Sequence, residues 1–145
     1  MAIQRWLELL KQGKDVWNSL RQRHPELNPK LSGVNLSKLD LREVILQGTD
    51  FSGADLSGAN LSGMDLNGAN FSEANLSGAN LSGANLSGVN LRGADLRGAN
   101  LRGADLCAAN LTSANLRGAD FNTAYLLDAN LKGADLRDTD IRLVI

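Results

Sequence analysis

The sequence predicts a solenoid, in which the chain winds in short regular turns, preceded by a helical segment. Two observations predict the solenoid: an apolar residue recurs every five positions over most of the 145 residues, and glycine follows most of these residues at a fixed distance. A third observation, the helical spacing of apolar residues before residue 30, sets the first segment apart. Units of this kind bury a continuous core only by stacking on their neighbours.

The five-residue register starts at Leu31 and continues without insertion to Ile141. It contains 23 central positions, and every one is Leu, Phe or Ile. A second set of small residues lies two positions before each centre and is almost only alanine from Ala54 to Ala134, with Met64 and Val89 as exceptions. This spacing fits neither the period of an amphipathic helix nor the alternation of a long strand, so the chain must turn every five residues.

The two residues after each centre explain how the chain turns. They are usually Ser-Gly or Arg-Gly, as in Ser57-Gly58, and glycine in the second place suits a type II turn because that place needs a positive φ. Where glycine is missing, we expect a different turn geometry. These corners are Lys38, Glu43, Glu73, Ala108, Ser113, Thr123, Asp128 and Asp138.

The unit Ala59-Asn60-Leu61-Ser62-Gly63 and its many copies resemble the A-(D/N)-L-x-x motif of the pentapeptide repeat family. The resemblance covers residues 31 to 143 and is highly specific because the register never breaks. It implies an all-β solenoid, namely a right-handed quadrilateral parallel β-helix with four pentapeptides in each coil. Residues 31–145 would then form nearly six coils, with Phe51 and Phe71 stacked on one inner face.

Residues 1–30 have a different composition and predict an N-terminal α-helical cap and linker. Apolar residues follow helical spacing and are expected to face the first coil; they are Ile3, Trp6, Leu7, Leu10, Trp17 and Leu20. The pattern allows one helix, or two short helices bent at Gly13, ending near Arg23 before His24-Pro25. Gly13 falls inside the apolar stripe, which would allow a close backbone approach.

A cap is needed because an open β-helix end exposes core and unpaired strand edges. The segment carries a net charge of +3, so a membrane-binding or partner-binding helix stays open as the alternative. A helix followed directly by repeats also looks like several cyanobacterial members of the family.

Net charge, cysteine content and the length of apolar runs limit the functions that we expect of this chain. The formal net charge is −1, so nothing marks the whole chain as a binder of nucleic acid. A single Cys is compatible with a reducing cytosol. We find no apolar run long enough for a membrane span and no signal peptide pattern, and we expect a cytoplasmic protein.

The sequence offers no catalytic constellation, cofactor motif or metal-ligand pattern, so we predict a protein that is not an enzyme. His24 is the only histidine and stands where a helix is expected to end, which favours an interaction with the helix dipole. Cys107 occupies an outward turn position without a neighbouring histidine, which argues against a nucleophile.

Unusual outward residues gather near the carboxyl-terminal end and form our candidate interaction patch. The register brings them to one edge, and they are Cys107, Tyr125, Leu127, Leu143 and Ile145. Aromatic anchors are common at interface centres, so we expect this end to pack against another chain, most simply a second copy in a homodimer. The alternatives are that the short tail folds over its own last coil, or that the chain was cut from a longer one.

A second surface feature is a basic ladder of Arg97, Arg117 and Arg137, which the register stacks on one face. We expect Asp95 and Asp135 to pair with it, and such exposed pairs contribute only about 0 to 1 kcal/mol.

Three functions remain as hypotheses. The leading one, which the resemblance supports, is a non-catalytic scaffold that presents a rigid surface to an unidentified protein partner. The alternative, also implied by the resemblance, is a DNA mimic that inhibits or modulates a type II topoisomerase; residues 31–145 carry 13 acidic and 9 basic residues, too little net negative charge for mimicry along the whole rod. A third is binding to ice or another crystalline surface through the serine ladders Ser52/Ser72, Ser57/Ser77 and Ser62/Ser82.

Overall fold

The structure is a computed structural model that describes residues 1–142 and 144–145. Helix α1 covers Ile3–Lys11 and helix α2 covers Lys14–Arg23. From Lys30 to Asp140 the chain forms isolated parallel β-bridges, each joining a residue to the one 20 positions later. The described residues therefore form a parallel β-helix with a helical cap at its amino-terminal end.

We number the coils from the helical end as 31–50, 51–70, 71–90, 91–110, 111–130 and 131–145. Each coil has four sides, which we name by the central residue of coil 1: side 1 at Leu31, side 2 at Leu36, side 3 at Leu41 and side 4 at Leu46. The residues just before and just after each centre lie on the outside of that side.

Three backbone hydrogen bonds tie a typical pentapeptide to the next coil. In the unit around Leu56, the Leu56 N–H donates to the carbonyl of Asn75 at 2.7 Å, and the Gly58 N–H donates to that of Ser77 at 2.9 Å. The Asn75 N–H donates back to the carbonyl of Ala54 at 2.9 Å. Because these bonds run between coils, each coil is stable only on its neighbours.

The interior is filled by the central residues and by the small residues two positions before them, which are buried throughout coils 2 to 4. The rings of Phe51 and Phe71 stack with their centroids 5.1 Å apart and their planes 12° apart, as the register predicts. Phe121 is buried on side 3, away from this pair.

The Asn or Asp before each centre has a structural role that the sequence alone did not reveal. Its side-chain oxygen accepts the backbone N–H two residues later, as in Ser57 N–H to Asp55 Oδ1 at 3.0 Å. The Ser57 hydroxyl donates to the same oxygen at 2.6 Å. Such local turns are why Asn or Asp, followed two residues later by Ser, recurs at these positions.

The expectation of different geometry at corners without glycine is wrong. All eight residues keep a positive φ, between 58° at Glu73 and 69° at Glu43, which matches the glycine corners. At four of them the ladder explains this, because the corner N–H donates to the next coil, as Lys38 N–H does to the Ser57 carbonyl at 2.8 Å; these four are Lys38, Glu73, Ala108 and Ser113. Each such corner accepts left-handed strain of about 1 to 2 kcal/mol.

The cap consists of two helices rather than one, and the two tryptophans meet across their junction. The rings of Trp6 and Trp17 are 5.7 Å apart and packed edge to face, and both side chains are buried. Two expectations need correction: Ile3 is 40% exposed, and Gly13 is exposed with nothing within 4 Å of an added Cβ. Gly13 is required for its φ of 110°, which turns the chain between the helices.

Side chains of α2 replace the missing coil below side 4 of coil 1. The Trp17 indole N–H donates to the Ile45 carbonyl at 2.8 Å, and Asn18 Oδ1 accepts the Ile45 N–H at 2.8 Å. The buried Arg21 donates through Nη2 to the Gln47 carbonyl at 2.5 Å. These are the three backbone groups that a preceding coil would pair on this side, so α2 completes the ladder with side chains.

Candidate interaction surfaces

The candidate interaction patch lies on side 4 of the last coils. Tyr125 is 44% exposed, while Leu127 and Ile145 are each 70% exposed. Ile145 lies one coil above Tyr125, since the Leu126 N–H donates to the Ile145 carbonyl at 2.7 Å. Leu143, the remaining upper member, lies outside the described residues. The structure therefore places three exposed apolar side chains of the patch on one side.

Cys107 lies one coil below Leu127, because the Ala108 N–H donates to the Leu127 carbonyl at 2.8 Å. Its thiol is free and partly buried. The pKa of this thiol is raised, mainly because the thiol donates a hydrogen bond to the Asp105 carboxylate and to a lesser extent because it is partly buried. A raised pKa leaves less thiolate at neutral pH, so Cys107 suits a contact surface better than a nucleophile.

Core residues of coils 5 and 6 extend the apolar surface. Leu126 and Leu131 are partly buried, whereas Leu136 and Ile141 are exposed. Together with the patch, they make the carboxyl-terminal part of the described solenoid more apolar on its surface than coils 2 to 4.

The basic ladder is largely neutralised by neighbouring carboxylates. Arg97 lies 2.6 Å from Asp95, and Arg137 lies 2.5 Å from Asp135. The side-chain hydrogen bond from Arg137, with a backbone bond from the same residue, lowers the pKa of Asp135 to about 2. Arg117 lies 3.8 Å from Asp138, so each ladder arginine has an acidic neighbour.

His24 occupies the C-cap of α2, where its Nδ1 lies 3.3 Å from Glu26 Oε1. Within residues 1–142 and 144–145, no group of three or more His, Cys, Asp and Glu side chains could hold a metal ion. Neither helix of the described chain has the length and apolar character of a membrane span.

A feature missed by sequence reasoning is a cleft between coils 1 and 2, where sides 3 and 4 meet. In the part of the chain that the structure describes, three successive ladder bonds are absent here: Glu43 N–H to Ser62, Leu46 N–H to Asp65, and Asp65 N–H to Val44. One coil later all three are made, the bond from Asn85 N–H to the Met64 carbonyl among them at 2.8 Å. The bridge expected between Ile45 and Asp65 is likewise missing.

Two sequence exceptions mark this cleft. Ile45 stands where most other units have Asn or Asp, and Met64 stands where most have Ala. A cavity of about 720 Å³ opens between the coils and is lined by both residues and by Asp65. Lys14 of α2 lines it too and forms an ion pair with Glu43, which lowers the pKa of the Glu43 carboxyl.

A second cavity of about 430 Å³ lies between the helix junction and coil 1. It is lined by Leu10, Leu36 and Leu39, and it shares Lys14 and Val44 with the larger cleft. Leu39 is 44% exposed, so the helical cap leaves this inward position of coil 1 uncovered.

Comparison with known proteins finds one matching family model and several similar solved structures. A family model described as pentapeptide repeats matches overlapping segments from residue 28 to residue 142. HetL, a pentapeptide repeat protein involved in heterocyst differentiation regulation in the cyanobacterium Nostoc sp. strain PCC 7120, is 37% identical, with a TM-score of 0.63. The match covers 82% of this chain and 54% of HetL, so this chain spans about half of HetL's length.

Two further solved structures are similar. Rfr23 from the cyanobacterium Cyanothece 51142 is 29% identical with a TM-score of 0.61, covering 88% of this chain and 98% of that one. A pentapeptide repeat protein from the thylakoid lumen of Arabidopsis thaliana is 38% identical with a TM-score of 0.64, covering 66% of this chain and 67% of that one. No curated protein matches the chain.

Proposed function

Because this chain belongs to the pentapeptide repeat family, we propose that it is a non-catalytic scaffold that presents a rigid surface to a protein partner. In this proposal residues 1–30 cap the solenoid and residues 31–145 form the presenting rod. We also place the protein in the cytoplasm, where its one free thiol stays reduced.

The observation that carries the proposal is the exposed apolar patch at outward positions that are polar in the middle coils. Outward positions on side 4 hold Asn85 and Ser87 in coil 3 but Tyr125 and Leu127 in coil 5. The backbone ladder fixes the main chain at both positions, so no backbone ordering is needed there when a partner binds. Exposed contiguous apolar groups of this kind mark protein interfaces.

The patch faces sideways from the rod. Tyr125 and Leu127 flank the centre Leu126 on the outside of side 4, so a further coil stacked on coil 6 would leave them exposed. We propose a second copy of the chain as the simplest occupant, because two copies related by a two-fold axis bury the same patch on each.

Affinity capture from the native cell tests the scaffold proposal. The wild type is compared with Tyr125→Asn/Leu127→Ser, which installs the residue types that coil 3 carries at these places and so preserves the fold. Partners recovered by the wild type should be lost with the double variant and kept with the control Ser57→Ala/Ser77→Ala on side 2. Equal recovery by all three proteins would reject the patch.

Light scattering separates self-association from other partners. A dimer at high micromolar concentration that the double variant dissociates supports the two-fold copy. A wild type that stays monomeric overturns the homodimer, and the capture result then decides the scaffold proposal.

A further inference from the structure

We propose that the cleft between coils 1 and 2 is a docking site for an extended, basic segment of a partner protein. The proposal deepens the scaffold function and rests on it, but it concerns the end of the rod opposite the apolar patch. Its failure would therefore leave the patch, and the experiments on it, unaffected.

The first argument is the set of backbone groups that the cleft offers. The N–H of Glu43 and Asp65 and the carbonyl of Val44 lack the ladder bonds that their counterparts one coil later make. All three residues line the cavity. An extended peptide supplies alternating N–H and carbonyl groups at about 3.3 Å per residue, and pairing of this kind is how proteins add a strand.

The second argument explains why the cleft is open. Met64 lies one coil above Val44, and both side chains fill inward positions. Val89, with Ala69 one coil below, shows part of the same loss: among the described residues the Asn90 N–H makes no bond to the Ala69 carbonyl, although the bridge between Asn70 and Asn90 remains. A bulky residue at this place therefore loosens the ladder toward the coil below, and at Met64, which lies above Val44, the loss extends to three bonds and a bridge.

Helix α2 holds the other wall of the cleft. Trp17 and Asn18 bind both backbone groups of Ile45 from below, and Asn18 Nδ2 also donates to the Glu43 carbonyl at 2.7 Å. Coil 1 is thus bonded to the helix through backbone groups that face away from coil 2, which holds this wall of the cleft in place. The opening is fixed by contacts on both sides, which makes it a preformed site.

The Asp65 carboxylate in the cleft favours a bound segment that carries positive charge. Among the residues that the structure describes, the Asp65 carboxylate has only neutral donors: Gln47 and Asn85, each at 3.3 Å, and the Asn67 N–H at 3.0 Å. The two cations that line the cleft are already paired, Lys14 with Glu43 and Arg42 with Asp40, so Asp65 is the lining carboxylate that lacks a cationic partner among the described residues. A lysine or arginine side chain on the bound segment would give Asp65 its ionic partner.

The test uses a fluorescein-labelled hexapeptide of alternating lysine and valine and measures its anisotropy with the full chain. Two matched peptides serve as controls: one with glutamate in place of lysine, and one with proline in place of valine, which removes pairing N–H groups. We expect binding of the lysine–valine peptide alone. Equal binding of the glutamate or proline peptide, or no binding, would overturn the proposal.

Three variants locate the site. Asp65→Asn should weaken binding about tenfold, while Asp105→Asn, at the same place on side 4 in coil 4, should leave it within about twofold. Met64→Ala should close the cleft and abolish binding while the chain stays folded. Equal affinity of Asp65→Asn and Asp105→Asn would contradict the assignment.

Amide hydrogen exchange gives a readout that does not depend on variants. The amides of Glu43, Leu46 and Asp65 should exchange faster than those of Gly63, Leu66 and Asn85, and the lysine–valine peptide should slow them. Slow exchange at all six sites in the free protein would show a closed ladder and refute the cleft. Self-association abolished by Asp65→Asn would assign the cleft to a second copy and overturn the basic-segment proposal.

Discussion

Gly98 and Ala108 adopt nearly the same left-handed backbone conformation, with φ of 64° and 59°. The two residues hold equivalent corners of opposite sides of coil 4, one with the residue type that favours this conformation and one without it. Within one coil, the free-energy cost of a left-handed corner can therefore be measured twice, by replacing Gly98 with alanine and by replacing Ala108 with glycine.

Gly98→Ala should lower the free energy of unfolding by about 1 kcal/mol, because the added Cβ strains the left-handed backbone although nothing lies within 4 Å of it. Ala108→Gly should raise it by a similar amount. Urea unfolding of both variants checks the prediction. Changes of the same sign would show that something other than corner strain sets the stability.

Trp17→Phe should destabilise the protein by about 1 to 3 kcal/mol, because it leaves the Ile45 carbonyl without its indole donor. The matched control is Trp6→Phe, which makes the other ring of the pair smaller without removing a hydrogen bond to coil 1. Thermal unfolding should show a larger loss for Trp17→Phe. An equal loss would mean that ring packing alone attaches the cap.

Leu96→Asp should prevent cooperative folding, since Leu96 is fully buried and the carboxylate would have no partner in the core. Ser87→Arg, on the outside of side 4, should change stability by less than about 0.5 kcal/mol. Circular dichroism melting curves distinguish the two. Similar curves would refute the assignment of inward and outward positions.

The pKa of Asp135 is about 2 because Arg137 donates to its carboxylate from both side chain and backbone. The carboxyl pKa is thus lowered on folding, so this pairing favours the folded state above about pH 4 and is lost as the pH falls through about 2. Arg137→Gln should raise the titration midpoint measured by NMR, though not fully, since the backbone N–H remains. Arg92→Gln on side 1 should leave the midpoint unchanged, and an unchanged midpoint in Arg137→Gln would refute the pairing.

The register of the sequence was enough to predict the family, the solenoid, the buried centres and the stack of Phe51 on Phe71. These features depend only on which residues lie 20 apart, and that information is local and repeated. The junction at Gly13 was one of two alternatives left open, because helical spacing does not show where a short helix breaks.

The register could not predict the geometry of the corners without glycine or the cleft, because both depend on which of two competing interactions is stronger. At Glu73 and Ala108 the ladder overrides the intrinsic preference of the residue for a negative φ, so corner geometry follows the neighbouring coil. The cleft needs the contacts of α2 with coil 1, which no repeat pattern contains. Its signals, Ile45 and Met64, were visible as exceptions, but their effect depends on Trp17 and Asn18.

The side-chain bonds of α2 to coil 1 have a consequence for assembly. A head-to-tail filament requires each rod to offer a free lower edge to the rod below it, as open-ended β structures do. Trp17, Asn18 and Arg21 already occupy that edge on side 4, and the two helices lie beneath the coil. On side 4 the helical end is thus closed to such stacking, and association of two copies through the sideways patch about a two-fold axis would give closed pairs rather than fibres.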